Sequence, residues 1–159
     1  MATAPRHAWF ALLEPGVVQL TFPPETTDHE LTDAFVALER WMFDEVDAPY
    51  AFVIRVDHVL ALTSKQRRIV GEYERRYATV ETRFNVGQAM VIRSSVQRGI
   101  FTAFTWLSPP VWPYRVFADV ESARAWLRLH WAEVTRDYPS GPSWTGRLRE
   151  RERPISASR

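Results

Sequence analysis

Cysteine is absent from the 159-residue chain, and this absence excludes disulfide frameworks, thiolate metal sites and cysteine nucleophiles. Glycine is scarce, with six residues, and none of them belongs to a phosphate loop, a nucleophile elbow or a dinucleotide-binding fingerprint. No apolar run reaches the roughly 18 residues of a membrane-spanning helix, and the first residues lack the pattern of a secretion signal. We therefore expect a cytoplasmic protein without a membrane span.

An excess of charge of one sign is also missing, because 20 basic side chains stand against 19 acidic ones and the net charge is +1. This balance argues against a global attraction to nucleic acid or anionic lipid, so we expect no nucleic-acid partner. The four histidines are scattered without the spacing of metal ligands, and we expect neither a metal site nor a cofactor. What the chain does have is an ordinary globular share of apolar residues, 46%, and a length that fits one domain.

Strand signals occur at five places along the chain. Pro15-Gly16 fits the centre of a type II turn, so the apolar runs at 9–13 and 17–22 are predicted to form a β-hairpin. Residues 50–56 are apolar except for Arg55, which is typical of a central strand that is covered on both faces. Two shorter strands are predicted at 88–92 and 115–118.

Helix starts are marked by three capping boxes, in which a Thr or Ser is followed three residues later by Glu or Gln. They predict helices that begin at Thr27, Thr63 and Ser94, the first extending to about residue 45 and the second to about residue 79. A fourth helix is predicted after Asp119, which can serve as its cap. Apolar residues at helical spacing support all four predictions.

The predicted order is therefore β-β-α-β-α-β-α-β-α. Strands that alternate with helices predict a mostly parallel sheet, and the tight hairpin makes the first strand antiparallel. The sequence thus indicates an α/β fold with a mixed five-stranded sheet and four helices. We expect this domain to span residues 8–138, between a short tail at 1–7 and an Arg-rich, poorly ordered tail at 139–159.

This order resembles the STAS domain, the fold of sulphate-transporter C-terminal domains and of anti-sigma-factor antagonists. The resemblance rests on the run from Phe52 to Asp57 and on Leu60-Ala61-Leu62-Thr63-Ser64 after it. The later part of the chain looks like the bacterial SpoIIAA-like proteins, and the whole resemblance covers about residues 8–131. Its further motifs are Gly87 to Ile92, Arg98 within a helix, Arg115-Val116-Phe117 and Ala123 to Leu127.

The resemblance implies a candidate phosphorylation switch at the start of the second helix. In anti-sigma-factor antagonists that helix begins with an Asp-Ser pair whose Ser is phosphorylated by a partner kinase, and Thr63-Ser64 occupies the same place here. The Asp is missing, and Lys65-Gln66-Arg67 replaces the small, glycine-containing segment of the family. A phosphate on Ser64 would lie beside Arg67 and Arg68. The alternative is that Thr63 and Ser64 are structural caps, since a capping box explains Thr63 and Gln66 completely.

Two other places carry residues with functional chemistry. Trp106, Trp112 and Tyr114 flank Ser108-Pro109-Pro110, and they form either a surface for a protein partner or a small apolar ligand, or the edge of the core. His58 follows Asp57 at the end of the central strand and is the nearest approach to an acid-base pair, with a simple turn as the alternative.

Three functional hypotheses follow from these patterns. The first is a non-enzymatic STAS-like binding module in cytoplasmic regulation, which engages a protein partner and can also hold a small apolar ligand. The second is a scaffold or a homo-oligomer subunit, for example of a homodimer, that uses a Trp-rich interface. The third is a small hydrolase or isomerase that uses His58. The first is preferred because no recognisable catalytic set is present.

Overall fold

The computed structural model describes residues 3–56, 62–107 and 112–136. Its strands are β1 (Phe10–Glu14), β2 (Val17–Thr21), β3 (Tyr50–Arg55), β4 (Asn85–Val91) and β5 (Tyr114–Phe117). Its helices are α1 (Asp28–Arg40), α2 (Ser64–Phe84), α3 (Ser95–Leu107) and α4 (Val120–Arg136), and a π-helical turn, Trp41–Glu45, extends α1. None of the helices in these ranges is long and apolar enough to cross a membrane.

The strands form one sheet in the order β1-β2-β3-β4-β5. β1 is antiparallel to β2, and the pairs β2–β3, β3–β4 and β4–β5 are parallel. The predicted α/β fold, its element order and the antiparallel first strand are therefore confirmed. β3 is the central strand, as its apolar run predicts, and its first four residues are buried.

Both faces of the sheet are covered, each by its own apolar cluster. On one face, α1, the π-helical turn and α2 pack over β2 and β3. On the other face, α4 packs over β3, β4 and β5. The first cluster is centred on Val18, Leu20, Leu31, Phe35, Trp41, Tyr50 and Phe52, and the second on Val17, Ala51, Val53, Ala89, Val91, Ala123 and Leu127.

The end of α2 differs from the sequence-based expectation. α2 continues to Phe84 and leads directly into β4 at Asn85, whereas the apolar pattern predicted an end near residue 79. The reason is that the buried stripe of α2 continues through Glu81, an acidic residue that a hydrophobicity pattern does not count. The first helical segment reaches Glu45 as predicted, but its last five residues form a π-helical turn that places both Trp41 and Met42 in the core.

Residues at the start of the chain also contact this turn. The indole N–H of Trp41 donates a hydrogen bond of 2.9 Å to Thr3 Oγ1, which in turn donates to Glu45 Oε2. The predicted C-terminal tail, 139–159, lies outside the described residues.

Gly16 is required by the turn between β1 and β2. Its φ is +81°, the left-handed region that side chains disfavour, and a Cβ there would lie 2.7 Å from Trp131 Cη2. Gly99 lies within α3, and a Cβ added there would meet no other atom within 4 Å. The two glycines therefore predict opposite responses to the same substitution.

Gly16→Ala should lower the free energy of unfolding by about 2 kcal/mol, through backbone strain and the contact with Trp131. Gly99→Ala should raise it by about 0.5–1 kcal/mol, because alanine is the better helix former. Urea denaturation of both variants beside the parent chain measures the two changes. Equal effects of the two substitutions would contradict the structure at the turn.

Candidate functional site

The carboxyl ends of β2 and β3 are followed by the chain segments that start α1 and α2. Both helices begin with a complete capping box, at Thr27 with Glu30 and at Thr63 with Gln66, as the sequence predicts. In the second box Gln66 N–H donates to Thr63 Oγ1 over 3.1 Å, and Thr63 N–H donates to Gln66 Oε1 over 3.0 Å. The start of α2 is therefore held in a fixed conformation.

Gln66 also connects the two helix starts. Its side-chain amide donates a 2.6 Å hydrogen bond to the carbonyl of Thr26, just before α1, and the residue is buried. Lys65 adds an ion pair of 2.6 Å with Asp28 in the first turn of α1. Because these contacts join residues that are about 40 positions apart, they hold the start of α2 against the start of α1.

Ser64 is exposed at the first position of α2 and contacts one arginine. Arg67 Nη2 donates to Ser64 Oγ over 3.1 Å, while Arg67 Nη1 donates to the carbonyl of Leu62 over 2.5 Å. Arg68 points to Glu72, with 3.7 Å between Nε and Oε1. The structure thus brings Thr63, Ser64 and Arg67 together and directs Arg68 along the helix.

A cavity of about 290 Å³ opens beside this helix start. Its lining is mixed: Phe22, Pro23, Pro24 and Leu62 are apolar, and Glu25, Thr26, Thr63 and Gln66 are polar. Its lining therefore combines apolar surface with the capping residue that precedes Ser64. The candidate site consists of this cavity, Ser64 and Arg67.

The predicted aromatic surface lies at the amino ends of the parallel strands, whereas Ser64 lies at their carboxyl ends. Trp112 and Tyr114 stand at the amino end of β5, where the carbonyl of Pro113 accepts a hydrogen bond from Gln88 N–H, and both are half-buried. Trp106 belongs to the last turn of α3, and its side chain is outside the described part. The structure does not bring Trp112 and Tyr114 to Ser64. The two predicted surfaces are therefore separate.

The candidate acid-base pair, Asp57 and His58, lies outside the described residues, so a hydrolase or isomerase that uses His58 stays a prediction. Within the described ranges, no group of three His, Asp or Glu side chains could hold a metal ion.

Sequence patterns do not predict the buried polar cluster around Glu81. Its Oε1 accepts a 3.2 Å hydrogen bond from Gln88 Nε2, and Asn85 Nδ2 lies 3.5 Å from the same oxygen. Glu81 Oε2 has no hydrogen-bond partner, and the residue is only 3% exposed. The pKa of Glu81 is raised to about 8, chiefly by burial and further by the nearby Glu74 carboxylate, while the hydrogen bond from Asn85 opposes the change.

A second feature without a sequence signal is the pair of arginines, Arg124 and Arg128, that holds the Glu14 carboxylate, which we call the Glu14 clamp. Arg124 and Arg128, one turn apart on α4, both donate to Glu14 Oε1, although more than 100 positions separate them from it. The hydrogen bonds from Arg128 and Arg124 lower the pKa of Glu14 to about 2. The clamp joins the end of β1 to α4.

Glu81→Gln should make stability less dependent on pH. The unfolded chain releases this proton near the ordinary pKa of 4.5, but the folded protein keeps it until about pH 8. The contribution of Glu81 to the free energy of unfolding is therefore largest below pH 4.5, and it decreases as the pH rises towards 8. We expect the gain in unfolding free energy from the substitution to be at least about 1 kcal/mol larger at pH 8 than at pH 5. Urea denaturation at both pH values measures this difference, and an equal effect at both would contradict a protonated Glu81.

Thr63→Ala should lower the free energy of unfolding by about 1 kcal/mol, because it removes the cap of α2. Thr79→Ala, at an exposed position of the same helix, is the matched control and should be neutral or slightly stabilising. Thermal unfolding of the two variants distinguishes them. A Thr63 variant as stable as the Thr79 variant would show that the capping box does not stabilise the fold.

Comparison of the chain with protein-family models, curated proteins and solved structures finds no match. The resemblance to the STAS domain therefore stays a prediction from the residue patterns.

Proposed function

We propose that this chain is a non-enzymatic, STAS-like binding module in cytoplasmic regulation, and that it engages a protein partner at the start of α2. The observation that carries the proposal is the exposed Ser64 Oγ, 3.1 Å from Arg67 Nη2 at the capped first turn of a long helix. The adjoining cavity supplies apolar surface for a partner's side chain or a small apolar ligand.

The position of Ser64 suits a switch that acts through charge. A phosphate there would add about −1.5 to −2 charges at a helix N-terminus, where the helix dipole favours an anion. Arg67 already donates to the same oxygen and would form a charge-assisted hydrogen bond with the phosphate. Because Gln66 and Lys65 anchor the helix start, this change would alter the surface more than the fold.

An interface between two copies of the chain is the second candidate function. It is favoured by the half-buried Trp112 and Tyr114, which lie at β5, an edge strand of the sheet. Aromatic residues are enriched at the centres of protein interfaces, and an edge strand can pair with another strand. A concentration-dependent mass in sedimentation experiments, abolished by Trp112→Ala, would support this function.

The switch is tested by comparing Ser64→Asp with Ser64→Ala in tagged protein recovered from the native cell. We expect a specific protein to be retained by the parent chain and by Ser64→Ala, and to be lost from Ser64→Asp. Stability should change by no more than about 0.3–1 kcal/mol, the size of a helix-dipole effect. Intact-mass measurement of the recovered parent chain reports the phosphate directly.

Ser95→Asp is the matched control, since Ser95 is also exposed and is the first residue of α3. It introduces the same charge at an equivalent helix position and should leave recovery of the partner unchanged. Equal recovery with the parent chain and with Ser64→Asp would remove the switch and leave a constitutive binding module.

A further inference from the structure

A second cavity, of about 340 Å³, lies between the β1–β2 turn and α4. Val17, Leu127 and Trp131 contribute its apolar walls, and the surface of the cavity is largely apolar. It lies on the face of the sheet that α4 covers, opposite α1 and α2. It also lies at the amino end of β2, whereas Ser64 lies at the carboxyl ends of the strands. The cavity is therefore separate from the candidate site.

Three charged side chains, Glu14, Arg124 and Arg128, form the polar part of the lining. One carboxylate serves two guanidinium groups, so the three together carry one net positive charge. Glu14 Oε1 accepts from both arginines, and Arg128 Nε lies 3.3 Å from Oε2. The positive charge that is left over lies directly beside the apolar walls.

Arg128 is suited to bind a further anion. Its side chain is 61% exposed, and Glu14 takes hydrogen bonds from Nε and one Nη2 donor out of the five N–H groups of a guanidinium. The remaining donors can form a second charge-assisted pair, because the planar fork of arginine matches a carboxylate. The pairing of Glu14 with Nε and Nη2 of Arg128 is an example of such a carboxylate contact.

We propose that this cavity binds a small amphipathic monocarboxylate, whose carboxylate pairs with Arg128 while its apolar body lies on Leu127 and Trp131. The charge favours an anionic occupant, because a carboxylate gains a charge-assisted pair with Arg128 that a neutral apolar molecule cannot form. A cavity of 340 Å³ is at the small end of ligand sites, which favours a single short chain or ring. Binding here does not depend on the proposed function at Ser64.

The test uses octanoate as the probe and 1-octanol as its neutral counterpart, titrated into the full-length, ¹⁵N-labelled protein. The indole N–H resonance of Trp131, assigned with the variant Trp131→Phe, reports binding at the cavity. We expect octanoate to shift this resonance at millimolar concentration and to bind about fivefold more tightly than 1-octanol, as one exposed charged pair would give. Acetate, which has the charge without the apolar chain, should not bind.

Substitutions test the charged contact at Arg128 and the apolar cavity separately. Arg128→Gln should weaken octanoate binding about fivefold and leave 1-octanol unchanged. Arg76→Gln, a similarly exposed arginine paired with Glu39 on α1, is the matched control and should change neither. Glu14→Gln removes the competing carboxylate and should strengthen octanoate binding. Ala132→Glu places charge and bulk in the cavity at an exposed position and should abolish it.

Three results would overturn the proposal: no shift of the Trp131 resonance with octanoate, equal affinity for octanoate and 1-octanol, or equal effects of Arg128→Gln and Arg76→Gln. None of these results bears on Ser64, because the cavity and the start of α2 lie on different faces and edges of the sheet. A loss of partner binding by Ser64→Asp would likewise leave the octanoate test unchanged.

Discussion

The parallel pairing of β3 with β2 and β4 is the constraint on which the rest of this structure depends. A central strand that buries both faces requires a layer of helices on each side, and the chain supplies α1 and α2 on one side and α4 on the other. Parallel strands also require crossovers, so the crossover helices start at the carboxyl edge of the sheet and end at its amino edge. The positions of both candidate surfaces follow from this arrangement.

Two buried polar residues of α2 show how differently such groups can be accommodated. Gln66 uses its carbonyl oxygen for the local capping box and its amide for the distant Thr26 carbonyl, so both polar atoms of its side chain are paired. Glu81 is almost completely buried with one oxygen unpaired, and its raised pKa keeps it neutral around pH 7. Gln66 stabilises a specific geometry at the start of α2. Glu81, near the end of the same helix, makes the stability of the protein depend on pH.

The two proposed binding surfaces use arginine in different ways. At the carboxyl edge, Arg67 lies along the first turn of α2, next to the hydroxyl where modification would add a negative charge. At the opposite edge, Arg124 and Arg128 already hold the carboxylate of Glu14, and their combined charge exceeds it by one. One surface is thus suited to a regulated partner and the other to an anionic small molecule, and the sheet separates them.

The sequence by itself determined the element order, the interior position of the 50–56 run, the hairpin at Pro15-Gly16 and the starts of α1 and α2. These follow from local signals, because turn chemistry, capping boxes and hydrophobic periodicity act within a few residues. The capping function of Thr63 could be predicted for the same reason.

Only the tertiary structure decided which distant side chains meet. The Glu14 clamp and the hydrogen bond from Gln66 to the Thr26 carbonyl join residues whose sequence spacing carries no pattern. The cluster around Glu81 places a carboxyl group where a pattern expects an apolar residue. Local chemistry fixes where helices and strands begin, but the pairing of strands and the packing of α4 fix which charges share a surface.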